Sequence, residues 1–253
     1  PILSEEQFII PFDVPSAPEL AWDDMPELTV SVAAESLHEQ LIVGGDGFQV
    51  AVGTTSGLIE SYIVNGKELL AAPLTPDFWR VPNDNDEGAK MSEKCGAWQN
   101  AGAEREVVSV QLDAITNKLT RITACAVVGK GRCDYTTVYD IYGSGDILVS
   151  VLMTPTQKTL DNQWNPVIPR VGMETTLVEG LQQMTWLGRG PTENYWDRSS
   201  GYPVGLYEGI VPELVFPYIR PQENGNRCDV RWATWTDDAG RGLLVTGLPT
   251  IDV

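Results

Sequence analysis

Apolar and polar side chains alternate in short runs along most of this chain, and such alternation is typical of half-buried β-strands. In the clearest case, Phe48, Val50 and Val52 alternate with Gln49 and Ala51. Similar β-rich runs cover residues 27–33, 58–64, 106–112, 119–128, 134–142, 147–153, 175–178, 182–187 and 242–246. The pattern predicts an all-β fold, and the number of strands favours a large sandwich of two sheets.

Turn signals between these runs support the strand assignment. They are Thr54-Thr55-Ser56-Gly57, the hairpin dipeptide Asn65-Gly66, and Gly143-Ser144-Gly145-Asp146. In the run 106–112, simple alternation places Val108, Val110 and Leu112 on one face. Strand and helix patterns do not alternate repeatedly, which excludes a (β/α)₈ barrel.

Two segments depart from the strand pattern. Met91, Cys95 and Trp98 recur at the spacing of an apolar helical stripe, and they predict the one helix we expect. Residues 1–27 combine one strand at 6–12 with a proline-containing linker at 13–19. Because one strand cannot form a domain, we interpret this segment as the last strand of a preceding domain.

The run Asp77-Phe78-Trp79-Arg80-Val81-Pro82-Asn83-Asp84-Asn85-Asp86-Glu87-Gly88 interrupts the strands with a dense polar group. A packed core cannot accept it, because each buried carboxylate would need a partner. The run fails the calcium-loop pattern, since Lys94 stands where a bidentate glutamate is required. Two interpretations stay open: a functional loop on a rigid scaffold, or a turn whose side chains bond their own backbone.

Two further runs mix aromatic, acidic and basic residues. The run from Trp186 to Arg198 has the aromatic faces and carboxylates that sugar binding uses. Equally, Glu193, Asp197 and Arg198 could form salt bridges that fasten a loop. In the run 216–228, Glu223-Asn224-Gly225 predicts a turn joining two strands, and Arg220 and Arg227 could pair with nearby acids.

Charge and composition narrow the possible functions. The 253 residues carry a formal net charge of −18, which argues against nucleic acid and an anionic membrane surface as partners. The four cysteines form no Cys-x-x-Cys pair, so they suggest reduced thiols and no zinc site. The only histidine, His38, is expected at the surface, and Ser-His-Asp chemistry has little support.

Taken in order, the three polar runs resemble the C-terminal small-chain domain of the lacZ-type family-two β-galactosidases. The matching motifs are Phe78-Trp79-Arg80-x-Pro82-x-Asp84-Asn85-Asp86-x-Gly88, Trp186-Leu187-Gly188-x-Gly190-Pro191-x-Glu193-Asn194-Tyr195-x-Asp197-Arg198, and Tyr218-x-x-Pro221-Gln222-Glu223-Asn224-Gly225-x-Arg227. The resemblance implies a supersandwich similar to galactose mutarotase over residues 28–253. Residues 1–27 then look like the end of a preceding immunoglobulin-like domain and its linker.

The resemblance also implies a parent enzyme that hydrolyses terminal β-galactosides with retention of configuration. Such enzymes need two carboxyl groups about 5 Å apart. In the family both are glutamates of a (β/α)₈ barrel that this chain lacks, so we expect no catalytic residue here. Magnesium and sodium serve the family mainly through residues elsewhere, and we expect no cofactor or metal in this chain.

The resemblance suggests site residues of two kinds. A mobile loop beside the galactose pocket would correspond to Asp84, Asn85, Asp86, Gly88, Ala89 and Lys90. Carbohydrate-contacting or structural roles fall to Trp79, Arg80, Glu193, Asn194, Asp197, Arg198, Glu223 and Asn224.

The resemblance also suggests partners and a location. The expected partners are the galactoside, the catalytic barrel, the other domains of the same enzyme and further copies of that enzyme. The parent would be soluble, in the cytoplasm or periplasm of a bacterium.

One departure and two alternatives accompany this interpretation. The family domain continues past the point that corresponds to Val253, so we expect a domain cut short with unpaired sheet edges. A mutarotase-like aldose epimerase would need acid–base groups, usually including histidine. A stand-alone carbohydrate-binding module would need two or more of Trp79, Trp186, Trp196 and Trp232 along an exposed groove, and burial of all four would count against it.

Overall fold

The computed structural model describes residues 7–8, 22–35, 38–157, 159, 167–220 and 222–253. The strands are β1 (Thr29–Glu35), β2 (His38–Gly45), β3 (Phe48–Gly53), β4 (Ile59–Val64), β5 (Lys67–Glu68), β6 (Leu70–Asp77), β7 (Glu106–Thr116), β8 (Leu119–Val128), β9 (Cys133–Tyr142), β10 (Ile147–Pro155), β11 (Gly172–Leu177), β12 (Gln183–Arg189), β13 (Val204–Ile210), β14 (Val230–Thr236) and β15 (Gly242–Ile251). The α-helices are α1 (Asp84–Gly88) and α2 (Met91–Cys95), and 3₁₀ turns cover Trp22–Asp24, Gly96–Trp98, Trp196–Arg198 and Val211–Glu213.

The chain forms two compact units. One, the continuous unit, is Leu20–Val178, and the other, the discontinuous unit, combines Pro1–Glu19 with Glu179–Val253. Every strand pairing in both units is antiparallel. The predicted all-β chain is therefore confirmed, and its antiparallel sheets are consistent with a β-sandwich. The division at residue 27 and the likeness to galactose mutarotase stay predictions.

The continuous unit contains a five-stranded sheet in the order β1-β2-β3-β4-β5 and a four-stranded sheet in the order β10-β9-β8-β7. The two sheets contact each other through side chains that reach across to the opposite backbone. Tyr62 Oη donates to Gly145 O at 2.9 Å, and Tyr139 Oη donates to Gly57 O at 3.2 Å. A third, two-stranded sheet pairs β6 with β11.

An aromatic cluster forms part of the core of the continuous unit. Phe78 lies 5.6 Å from Trp98 and 5.4 Å from Tyr135 between ring centroids. Met91 and Cys95 are buried in the same cluster, so the predicted apolar stripe on this helical segment is confirmed. The helical segment divides at Gly96 into α2 and a 3₁₀ turn, because glycine is a poor helix former and does not favour continuing the α-helix.

The discontinuous unit is built on one four-stranded sheet in the order β13-β12-β14-β15. Its buried face carries Met184, Trp186, Val230 and Ala233. The side-chain amide of Gln7 exchanges hydrogen bonds of 2.8 and 2.5 Å with the backbone of Val204 on β13. Apart from residues 7–8, the predicted strand at 6–12 and the linker at 13–19 lie outside the described residues.

Most predicted strands and turns are confirmed, and three features are not as expected. Five strands, β2, β5, β6, β13 and β14, lie outside the predicted β-rich runs. Helix α1 falls inside the run that we expected to be non-helical. On β7, a register shift between Val107 and Ser109 turns Val108 outward, so the placement of Val108, Val110 and Leu112 on one face was wrong.

Candidate functional site

The first candidate site is the acidic turn, residues 77–90, which leaves the core at the end of β6. Phe78 is buried, and Trp79 packs half-buried against the same aromatic cluster. Asp77 accepts a hydrogen bond from Trp79 N at 3.0 Å, and its other oxygen lies 3.3 Å from Arg170 Nη1. The aromatic residues and Asp77 therefore fix the start of the turn to the sheet.

An ion pair and a capping box hold the middle of the acidic turn. Arg80 binds Asp86 with both terminal nitrogens, one of them at 2.8 Å. Asp86 also accepts from Asn83 N at 3.0 Å, while Asn83 Oδ1 accepts from Asp86 N at 3.0 Å. This reciprocal cap satisfies backbone donors that a helix start leaves unpaired, and it explains why α1 begins here.

Electrostatics keep the Asp86 carboxylate ionised. Burial alone would raise its pKa, but the hydrogen bonds from Arg80 and Asn83 N and the charge of Arg80 outweigh burial and hold the pKa below its usual range. A carboxyl group with a lowered pKa is a poor proton donor near neutral pH. The hydrogen bonds and the lowered pKa of Asp86 therefore indicate a structural role for this carboxylate.

The far part of the acidic turn faces solvent. Asp84, Asn85, Gly88, Ala89 and Lys90 are all exposed. Lys90 has φ of 58° at the junction between α1 and α2, a left-handed conformation that is costly for a residue with a side chain. Nothing lies within 4 Å of a Cβ placed on Gly88, so space does not dictate glycine there.

The second candidate site is the Glu193 network in the discontinuous unit. Glu193 is buried, and its Oε1 accepts from Tyr218 Oη and from Arg198 Nη2, the latter at 2.5 Å. Its Oε2 accepts from Gly225 N at 2.8 Å. Arg198 also donates to Tyr218 Oη at 3.0 Å. One carboxylate thus joins the three segments around residues 193–198, 218 and 225.

Three asparagines fasten the same segments through the backbone. Buried Asn194 accepts from Cys228 N at 2.9 Å, and Asn226 donates to Asn194 O at 2.8 Å. Asn224 accepts from Phe216 N at 3.1 Å and donates to Phe216 O. The side-chain amides pair with backbone N–H and C=O groups of the long connection between β13 and β14. They satisfy backbone groups that have no partner in a neighbouring strand.

Burial and the surrounding hydrogen bonds act in opposite directions on the pKa of Glu193. Burial favours the neutral acid, but the hydrogen bonds from Gly225 N, Tyr218 and Arg198 hold the pKa of Glu193 below its usual range. The neighbouring phenol responds in the opposite direction, because burial and the charge of Glu193 raise the pKa of Tyr195. Arg227 is buried with its guanidinium 4.9 Å from the centroid of the Trp186 ring.

The remaining predicted site residues are placed differently. Asp197 and Arg198 lie on an exposed 3₁₀ turn beside Trp196, which is 86% exposed. Glu223 is half-buried. The turn Glu223-Asn224-Gly225 belongs to the long connection between β13 and β14, two strands that both pair with β12 and not with each other.

Two contributors to the Glu193 network were missed from the sequence. They are Tyr218 and Gly225 N, which both bind Glu193. Both stand within the third motif, but the motif order alone does not reveal that they meet Glu193. The four tryptophans that would decide for or against a carbohydrate-binding module neither line one exposed groove nor are all buried. Trp186 is fully buried, Trp196 is exposed, and Trp79 and Trp232 are half-buried.

The fold and these sites define an all-β chain whose principal motif carboxylates are bound by arginines. The family model for the β-galactosidase small chain matches residues 44–250, most of the chain. The chain therefore belongs to the β-galactosidase small chain family.

Named relatives agree with the family match. A β-galactosidase of Priestia megaterium is 37% identical over 248 residues, covering 98% of this chain and 23% of the relative. One from Lactobacillus delbrueckii subsp. bulgaricus is 30% identical over 237 residues, covering 93% and 23%. One from Pseudoalteromonas haloplanktis is 26% identical over 231 residues, covering 85% and 21%. The chain thus spans less than a quarter of the length of these relatives.

Among the residues that the structure describes, no helix is long and apolar enough to cross a membrane.

Proposed function

We propose that this chain is the non-catalytic small-chain part of a retaining β-galactosidase that hydrolyses terminal β-galactosides. It packs beside a catalytic barrel and supplies the loop 84–90 as a mobile wall of the galactose pocket. The family match over residues 44–250 carries the proposal. The relatives are named β-galactosidase, and this chain corresponds to less than a quarter of them.

The chemistry of the motif carboxylates supports a non-catalytic role. A retaining glycosidase needs one carboxyl group with a raised pKa as acid and a second as nucleophile. Glu193 and Asp86 have lowered pKa values, and the carboxylate of each accepts hydrogen bonds from an arginine and from a backbone N–H group. Both carboxylates are therefore used in holding loops.

The geometry of the acidic turn supports a movable element at its far end. Residues 84–90 are mostly exposed, and the two short helices meet at Lys90 in a left-handed conformation. Capping at Asn83 and the Arg80–Asp86 pair fix the near end, and buried Met91 fixes the chain directly after Lys90. A short exposed segment between two fixed points, with backbone strain at Lys90, is suited to switching between two positions.

The test is a chimera in which this chain replaces the matching quarter of the Priestia megaterium enzyme. We expect the chimera to hydrolyse a chromogenic β-galactoside, whereas the isolated chain and the relative with that quarter deleted do not. Turnover by the pure chain would mean that a catalytic pair lies within it. A folded but inactive chimera would contradict the proposed role.

The mobile wall is tested in the same chimera with Gly88→Ala. The substitution meets no neighbouring atom, so folding should be unaffected, but reduced backbone freedom should lower kcat/KM several-fold. Gly201→Ala is the matched control, because its added Cβ also meets nothing within 4 Å. Equal kinetics for both variants would refute the wall.

A further inference from the structure

Four large apolar side chains of the discontinuous unit face solvent without cover from the described residues. They are Trp196 on the 3₁₀ turn and Val215, Phe216 and Ile219 on the following connection, and we call them the apolar patch. Trp196 is 86% exposed, and the other three expose more than half of their surface. Clustered exposed apolar groups of this size mark interaction sites more often than single exposed residues do.

The Glu193 network brings the two parts of the apolar patch together. Tyr218 stands between Phe216 and Ile219 in the chain, and its hydroxyl meets both Glu193 and Arg198. Arg198 ends the turn that carries Trp196. The Tyr218 ring also packs on Phe216 with centroids 4.7 Å apart. A buried carboxylate thus anchors both segments from beneath.

This anchoring fixes the backbone that carries the apolar patch before any partner arrives. Asn224 closes the base of the connection by bonding both backbone groups of Phe216. Binding costs less when the backbone of the contacting segments is already ordered, and aromatic residues are enriched at the centres of interfaces. Two copies of the chain are poor partners for each other, because each carries a net charge of −18.

We infer that the apolar patch is the surface on which this chain docks against the remaining part of the β-galactosidase polypeptide. The relatives extend over more than four times the matched length, since the matched segment is 23% of them, and so provide a partner of that kind. The partner surface would be apolar and concave at Trp196 and Ile219. This inference rests on the proposed function and adds the docking surface to it.

The test measures binding of this chain to the Priestia megaterium enzyme from which the matching quarter is deleted. Trp196→Ser with Ile219→Ser should weaken binding roughly 100-fold, since two central apolar contacts are lost. Leu206→Ser with Leu244→Ser is the matched control, because both leucines are comparably exposed in the same unit. That control should change binding less than about threefold.

A second measurement keeps the test independent of how the deleted relative folds. In the active chimera, the Trp196/Ile219 double variant should lower the temperature of half-inactivation, and the Leu206/Leu244 variant should not. In the isolated chain, neither pair should lower the melting temperature, because the side chains face solvent. A lower melting temperature for the Trp196/Ile219 pair there would mean that the chain covers the patch itself, which overturns the inference.

The outcomes separate the two proposals. An inactive wild-type chimera contradicts the proposed function and the docking surface together. If the wild-type chimera is active, two results contradict only the docking surface. The Trp196/Ile219 variant of the chain binds the deleted relative as tightly as wild type does, and the chimera with that variant keeps the wild-type temperature of half-inactivation. A dimer of the isolated chain that Trp196→Ser dissociates, or a galactose titration that perturbs Trp196, would also overturn it by naming a different occupant.

Discussion

Glu193 shows how one side chain can organise three segments of a long connection. Its carboxylate is buried and accepts from Arg198, Tyr218 and Gly225 N. Replacing a paired buried charge leaves the partner charge uncompensated, which is more damaging than losing a surface pair. The stability of this region should therefore depend on Glu193 far more than on exposed acids.

We expect Glu193→Gln to lower the free energy of unfolding by about 2–4 kcal/mol, because one oxygen becomes an N–H donor that faces another donor. Urea unfolding measures the change. The control is Glu93→Gln, whose carboxylate lies 3.5 Å from Lys90 with both side chains exposed. That control should be indistinguishable from wild type. Similar losses for both variants would contradict the role of Glu193.

Asp86 predicts a dependence of stability on pH. Because Arg80 and Asn83 N lower its pKa in the folded chain, the unfolded chain binds more protons near the carboxyl range. The stabilisation is fully present above the unfolded pKa of about 4 and is lost as pH falls through the lower folded value. Asp86→Asn should cost about 1–3 kcal/mol at neutral pH, and the difference from wild type should shrink in acid.

The measurement for Asp86 is urea unfolding over a pH series. Its control is the same substitution made in an Arg80→Gln background, where Asp86→Asn should cost much less because its cation is gone. A difference between wild type and Asp86→Asn that stays constant into acid would show that the ion pair does not supply the stability.

At the residue scale, the sequence predicted which side chains are polar partners better than it predicted how they meet. The salt-bridge interpretation of Glu193 and Arg198 is confirmed. Tyr218 could not be assigned to Glu193, because 25 residues separate them and only the folded connection brings them together. Sequence spacing carries no information about such contacts outside helices and strands.

At the element scale, capping and bulges mark where sequence patterns fail. Helix α1 has five residues, of which all but Glu87 are poor helix formers, and its capping box at Asn83 overrides that weak propensity. The bulge near Val108 breaks simple alternation on β7, since one extra residue reverses the side-chain direction. Strand β6 contains Pro73 and Pro76, which argue against a central strand. In the part of the chain that the structure describes, β6 is an edge strand that pairs with β11 through an irregular register, and prolines are tolerated there.

The hairpin between β9 and β10 provides a test at this scale. A Cβ added to Gly143 would stand 1.9 Å from Pro26 O, a backbone atom that cannot move cheaply. Gly143→Ala should therefore lower the free energy of unfolding by about 2–4 kcal/mol, as strong overpacking does. Thermal unfolding measures it, and Gly201→Ala, with open space, is the control. A melting temperature equal to that of the control would refute the close approach.

At the scale of the whole molecule, the sequence predicted the all-β fold class, because strands and turns are recognised from local patterns of residues. In the sheets of consecutive strands, β1 to β5 and β7 to β10, the sequence signals three of the connecting turns, at residues 54–57, 65–66 and 143–146. The pairings of β12 with β14 and of β6 with β11 connect strands that are not neighbours in the chain. No turn chemistry announces those pairings, so they could not be predicted.

The pairing of β6 with β11 has a kinetic consequence. Asp77 lies opposite Gly172, so the ladder joins residues that are 95 positions apart, whereas the hairpin of β9 and β10 joins residues only a few positions apart. The entropy of closing a loop grows with its length, and long-range pairing is slow. Pulse-labelling hydrogen exchange during refolding should protect the amides of β8 and β9 before those of β6. The acidic turn, which starts where β6 ends, would then acquire its final position late, after its supporting sheets have formed.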